Sequence, residues 1–373
     1  MKKVLFLAII AIILSHNSFA QRKIVVNAVP GGEFIVNSGV DTQIKVVGKG
    51  SLSEPFKIYG ANNAKLSGNS FIHVLGSNII IENLQFEENS INYLDSRGLI
   101  SIGDSKNIVS NVDVKNIKFI GKGKFKTLDG KSQFHFLYVN GDKVTIEKCY
   151  FTQKVNRLPV IHVDAGLRDV LIYDCDFADV KEPASDLAIE AIRVGLGKGK
   201  TGLKINQNRF NNYYGDSEVI SVKCDNVVVT NNTFLNSRSG VCIRHGNYCV
   251  IRGNYFENVY TPVRVSGKAI QISENTFKNK NNRSIFLMFG GKNYLQVIDL
   301  MVYNNKFFDY FNVYGIQAEG HALYPTKVFL KGNTLVKNHR EELLANGNWS
   351  FNANSKKILV KTSPNQIKEY ILK

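Results

Sequence analysis

Short runs in which alternate positions are apolar recur along this chain, each followed by a polar pair and then an aromatic residue. The first four are NIIIENLQF (78–86), NVDVKNIKF (111–119), KVTIEKCYF (143–151) and DVLIYDCDF (169–177). GLKINQNRF (202–210), NVVVTNNTF (226–234), YCVIRGNYF (248–256) and AIQISENTF (269–277) follow, and DLMVYNNKF (299–307) and KVFLKGNTL (327–335) close the series. Alternation of this kind predicts strands with one face turned inward. Equivalent Phe positions recur every 21 to 33 residues. No single repeat can bury its own apolar face, so the array folds only as a stack. The predicted fold is all-β: a single-stranded, right-handed parallel β-helix of about ten or more coils.

The slot two before the closing apolar residue is Asn208, Asn232, Asn254, Asn275, Asn305 and Asn333 in six repeats. Asn tolerates left-handed backbone and can hydrogen-bond up and down a stack. The Phe after it is expected to stack in the core. The longer intervals, around 121–135, 152–168, 181–200 and 280–296, are expected to carry loops. Ligand-binding residues favour such loops and the strip they flank. Residues 21–60 read as irregular early coils, and the last forty as a cap over the open end. No linker interrupts 21–373, which is read as one domain.

The first 20 residues change the compartment. Lys2 and Lys3 precede an apolar run from Val4 to Leu14, and Ser18-Phe19-Ala20 forms a small-x-small cleavage signal. This pattern predicts a signal peptide cut after Ala20 and a periplasmic or secreted protein, since the run is too short to span a bilayer. The chain carries 47 Lys+Arg against 31 Asp+Glu, a formal charge of +16. A basic exported protein points to an acidic polysaccharide as partner rather than nucleic acid or membrane. Nothing in the coil pattern calls for more than a monomer. Five cysteines cannot all pair; Cys149 and Cys175 share a repeat slot and could bridge, but buried free thiols are the expectation.

Lys223 and Arg244 are 21 residues apart, about one coil, so they should stack on neighbouring coils. Stacked like charges repel and do nothing for folding. Arg264, 20 residues on, should extend the strip and grip a substrate carboxylate. Such a strip suits β-elimination on a uronic acid chain. The sugar carboxylate must be neutralised as charge develops, a base must take the C5 proton, and an acid must assist the leaving oxygen. Lys223 fits the base, because neighbouring cations favour a neutral amine, and Arg244 fits the partner of the leaving oxygen. Asp216 and Glu218 precede Lys223 with strand spacing. They could hold Ca²⁺ through oxygen ligands or simply pair with the cations. His245 should face away from Arg244 and support the site.

At residues 217–256, SEVISVKCDN…NNTFLNSRSGVCIRHGNYCVIRGNYF, the chain resembles polysaccharide lyase family 6, the alginate lyase and chondroitinase B group. Weaker likeness extends through PFKIYGANNAKLSGNSFIHVLGSNIIIENLQF, LYVNGDKVTIEKCYFTQKVN and AIEAIRVG. The resemblance implies Lys223 as Brønsted base and Arg244 as Brønsted acid. Arg264, His245, Arg193, Lys154 and Asn156 would be substrate-binding residues, and Asp216 and Glu218 calcium ligands. The family's third calcium ligand is an Asn, absent from PASDLAIEAIRVG; Asp186 or Glu190 would substitute, or the enzyme is metal-independent. The implied activity is cleavage of alginate by β-elimination. A dermatan sulfate lyase or a non-catalytic polyanion-binding β-helix are the alternatives.

Overall fold

The computed structural model describes residues 22–371, apart from 92–95, 123–132, 184–188, 279–283, 309–312, 317–322, 338–339, 345, 353–356 and 364–365. The expected leader and Asp186 lie outside the described residues. Among the described residues the regular elements are all strands, sorted into three sheets of 12, 15 and 13. The chain visits the sheets in turn. Ile161–Val163 joins the first, Leu171–Tyr173 the second, Asp176–Val180 the third, and Ile192–Val194 returns to the first. Neighbouring coils pair in parallel with little slippage, for example Ile192↔Ile220 and Ile220↔Val241. This is the right-handed parallel β-helix that the repeats predict.

The repeat pattern corresponds to the second and third sheets only. Strands of the first sheet, such as Ile161–Val163 and Ile192–Val194, fall inside intervals read as loops. Residues 22–60 are also more regular than expected, with strands at Arg22–Ala28, Glu33–Val36, Thr42–Gly48 and Phe56–Gly60.

Two ladders run through the stack. Phe86, Phe119, Phe151, Phe177, Phe210, Phe234, Phe256, Phe277 and Phe307 stack with centroids 4.6–5.3 Å apart. That spacing is the coil repeat itself, about 4.8 Å, so each ring stacks on the next without bending the backbone. Asn208 Nδ2 donates to Asn232 Oδ1 at 3.0 Å, and the same bond repeats through Asn254, Asn275, Asn305 and Asn333. These buried amides are therefore paired, as burial of polar groups requires. The left-handed backbone lies one residue earlier than expected, at Gln207, Asn231, Glu274 and Asn304. The ladder Asn keeps ordinary torsions because its side chain must point along the stack. Cys149 and Cys175 occupy the same slot in earlier coils, and all five cysteines are buried free thiols.

At the C-terminal end the parallel order stops. Arg340–Leu343, Gly347–Asn352, Lys357–Ser363 and Gln366–Ile371 add antiparallel strands to the second and third sheets. They cover edges that would otherwise present unpaired backbone.

Candidate active site

The site lies on the outer face of the first sheet. Ile220–Val222, Ser239–Ile243 and Thr261–Val265 each turn two apolar side chains inward: Ile220 and Val222, Val241 and Ile243, Val263 and Val265, all at most 1% exposed. Alternation then puts Ser221, Cys242 and Arg264 in one outward column, with Arg193 before them. Lys223 and Arg244 occupy the next column, just past their strands. Lys223 N–H donates to Val194 O and Arg244 N–H to Val222 O, both at 2.8 Å. The structure thus brings Lys223 and Arg244 to equivalent positions on adjacent coils. Arg264 sits one coil further on but two residues back in register, because that coil is 22 residues long (Cys242↔Arg264) and Arg264 follows Arg244 by only 20.

Three carboxylates organise these cations. Glu190, 3% exposed, accepts from Arg193 Nε at 2.8 Å and Nη2 at 2.7 Å, and its Oε1 lies 3.9 Å from Lys223 Nζ. Glu218 Oε1 lies 3.7 Å from Nη1 of both Arg244 and Arg264, and its Oε2 accepts from Ser221 Oγ at 2.5 Å. Asp216 Oδ1 accepts the Glu218 N–H at 2.9 Å. Burial pushes the Glu190 carboxyl up to about 7, against the pull of Arg193. Burial and the neighbouring Glu218 raise Asp216.

These carboxylates do not fit a calcium ion. Both Glu190 oxygens are taken by one guanidinium, and Glu218 faces two arginines and a serine hydroxyl. A calcium site needs six to eight oxygens converging on one point. Among the described residues no three metal-binding side chains converge. Glu190 instead supplies a carboxylate that holds Arg193.

Two further expectations change. The expectation that His245 faces away from Arg244 loses its basis, because the strand ends at Ile243 and alternation no longer applies beyond it. It is partly buried, and burial together with Arg244 and Lys223 lowers its pKa. Gly246 closes the turn that follows; a Cβ there would stand 2.8 Å from Cys224 O. Lys154 and Asn156 are 1% and 2% exposed and point away from solvent. Lys154 Nζ donates to Phe134 O at 2.9 Å and to Asn156 Oδ1 at 2.7 Å, and packs beside the Phe134 and Phe136 rings. This closed arrangement is internal scaffolding and leaves neither side chain free for substrate.

Tyr294 escaped the sequence reading, although it lies in the 280–296 interval flagged as a loop. Its ring centroid is 5.3 Å from the Arg244 guanidinium carbon, and its hydroxyl is a hydrogen-bond partner of Arg264. No spacing rule links residue 294 to 244; only the folded loop brings them together.

No curated protein matches the chain in a sequence comparison. Among solved structures, a mannuronic-acid-specific family 6 polysaccharide lyase from human gut microbiota aligns at 18% identity and TM-score 0.71, covering 84% of this chain and 82% of its own. The polysaccharide lyase Pedsa3628 from Pseudopedobacter saltans, also of family 6, aligns at 19% identity and TM-score 0.70, over 94% and 91%. The family 6 alginate lyase AlyGC aligns at 18% identity and TM-score 0.72 over 82% of this chain but only 47% of its own. At such identities the likeness speaks to the fold. The sequence profile of chondroitinase B matches residues 16–368, nearly the whole chain. The chain therefore belongs to the chondroitinase B family, polysaccharide lyase family 6.

Proposed function

We propose that this lyase is exported, its leader removed after Ala20, and that it cleaves alginate by metal-independent β-elimination. The observation that carries the reading is the pairing of Lys223 and Arg244 on adjacent coils, flanked by Arg193 and Arg264. Lys223 takes the C5 proton of the uronate. The electron pair forms the C4–C5 double bond, and the C4–O bond breaks. Arg244 donates to the departing oxygen, which leaves as a hydroxyl. Arg193 and Arg264 hold the sugar carboxylate as negative charge builds, the role that preorganised cations play best in a partly dry site. Glu190 and Glu218 fix the cations' positions, and His245 follows Arg244 at the turn. Alginate is favoured over dermatan sulfate because solved relatives with this fold are described as alginate or mannuronate lyases.

A substrate panel tests this reading: polymannuronate, polyguluronate, mixed alginate and dermatan sulfate, followed by the ultraviolet absorbance of the 4,5-unsaturated end. The expected result is a signal on alginate that persists in chelator and vanishes in Lys223→Ala with the fold intact. Signal on dermatan sulfate alone overturns the substrate. Binding to alginate without any unsaturated product overturns catalysis.

A further inference from the structure

Beyond Lys223 the same edge of the first sheet continues two coils toward the N-terminus. Backbone bonds define the column: Lys223 N–H donates to Val194 O at 2.8 Å, Gly195 N–H to Val163 O at 2.9 Å, and Asp164 N–H to Val139 O at 3.0 Å. Asp164 therefore lies two coils from Lys223, about 10 Å along the stack. Between them Gly195 has φ +67°, and a Cβ there would sit 2.9 Å from Cys224 Cβ, so the floor is bare backbone. A groove of about 490 Å³ opens over it, bounded by Asn140, Asp164, Ala165, Leu196 and Lys198.

The Asp164 carboxylate is held rigidly at its rim. The Tyr138 hydroxyl donates to Oδ2 and itself accepts from Arg97, while His162 Nε2 lies 3.0 Å from Oδ1. His162 and Tyr138 are 5% and 2% exposed, whereas the Asp164 side chain keeps 27% of its surface open. Burial pushes the Asp164 carboxyl up, but the hydrogen bonds from His162 and Tyr138 outweigh it and hold it below its usual value. It stays an ionised acceptor with spare lone pairs. A fixed carboxylate repels a uronate carboxylate and suits ring hydroxyls instead. Asn140 lines the groove but is buried, with its Nδ2 donating to Asp104 O, and Lys198, on the exposed loop, adds a cation.

We propose that this groove is a distal sugar subsite of the same trough. Asp164 takes ring hydroxyls of a uronate unit about two sugars from the bond being cut, and Lys198 takes that unit's carboxylate. The inference rests on the lyase reading for its substrate but not for its geometry.

The test compares wild type, Lys198→Ala and Asp164→Asn on uronate oligomers of increasing length, reading kcat/KM from the unsaturated product. In wild type kcat/KM rises at the length that fills the groove. Both variants lose that rise, by roughly tenfold, and match wild type on the shortest oligomer cleaved. Variants that track wild type at every length, or that fall equally at every length, overturn the subsite. If wild type cleaves no oligomer, the lyase reading fails, and calorimetric titration with the longest oligomer then decides. Weaker binding by Lys198→Ala supports the groove, and equal binding overturns it.

Discussion

Arg193→Met separates an arginine-based site from a calcium-based one. In the wild type the Arg193 guanidinium makes two bonds, at 2.8 and 2.7 Å, to a carboxylate that is 3% exposed. Methionine keeps most of the side-chain volume but leaves Glu190 with Lys223, at 3.9 Å, as its remaining close cation. Breaking a buried pair by removing one partner costs about 3–5 kcal/mol. Glu190, already at about 7, moves higher once Arg193 no longer pulls it down. The variant's stability loss is therefore smaller at acidic pH, where the carboxyl is protonated, and larger at alkaline pH. Activity should fall by about 10²–10³-fold, the usual cost of losing one preorganised electrostatic group. The double variant Arg193→Met/Glu190→Leu removes the orphaned charge; it should regain stability but not the lost activity. Product absorbance with and without chelator, and urea unfolding across pH, measure both effects. Wild type that loses activity in chelator and regains it with Ca²⁺ would refute the reasoning, as would Arg193→Met with full activity.

Three further outcomes follow from the geometry. Tyr294→Ala removes the ring beside Arg244 and a partner of Arg264, a cation–π contact of about 0.5–2 kcal/mol; kcat/KM should fall by about 3- to 30-fold while the unfolding midpoint barely moves. Lys154→Met replaces a buried amine, whose pKa burial drives well below its usual value, with an apolar chain of similar size. Activity should stay within about threefold and stability should hold or rise, most at low pH where that amine would have to charge; a large rise in KM would instead restore Lys154 to the substrate. Glu190 is raised in the folded state, so the unfolded chain gives up its proton first. Its share of stability is full below about 4.5, shrinks as pH rises, and is gone above about 7, roughly 3 kcal/mol in all; Glu190→Gln should flatten that slope in urea midpoints taken between those values.

The chain's pattern alone determined the solenoid. Apolar alternation closing on Phe needs no tertiary information, because each coil copies the one before and the Phe and Asn ladders follow from repetition. It also located Lys223 and Arg244, since their 21-residue separation equals one coil there. What it could not reach depends on where each coil leaves and re-enters the first sheet. That sheet's strands are three to five residues long at the site and are separated by turns of unequal length, so no fixed period marks them. Arg264 therefore slipped two positions in register, and His245 escaped strand alternation by falling just past Ile243. Lys154 turned inward because Phe134 O and Asn156 meet all its donors, a partnership across 20 residues that no local pattern encodes. Tyr294 reached Arg244 through a loop, and Glu190 turned both its oxygens to Arg193 because a buried carboxylate takes the nearest fixed cation. Repetition is a property of sequence; convergence of side chains from unequal turns is a property of the folded chain.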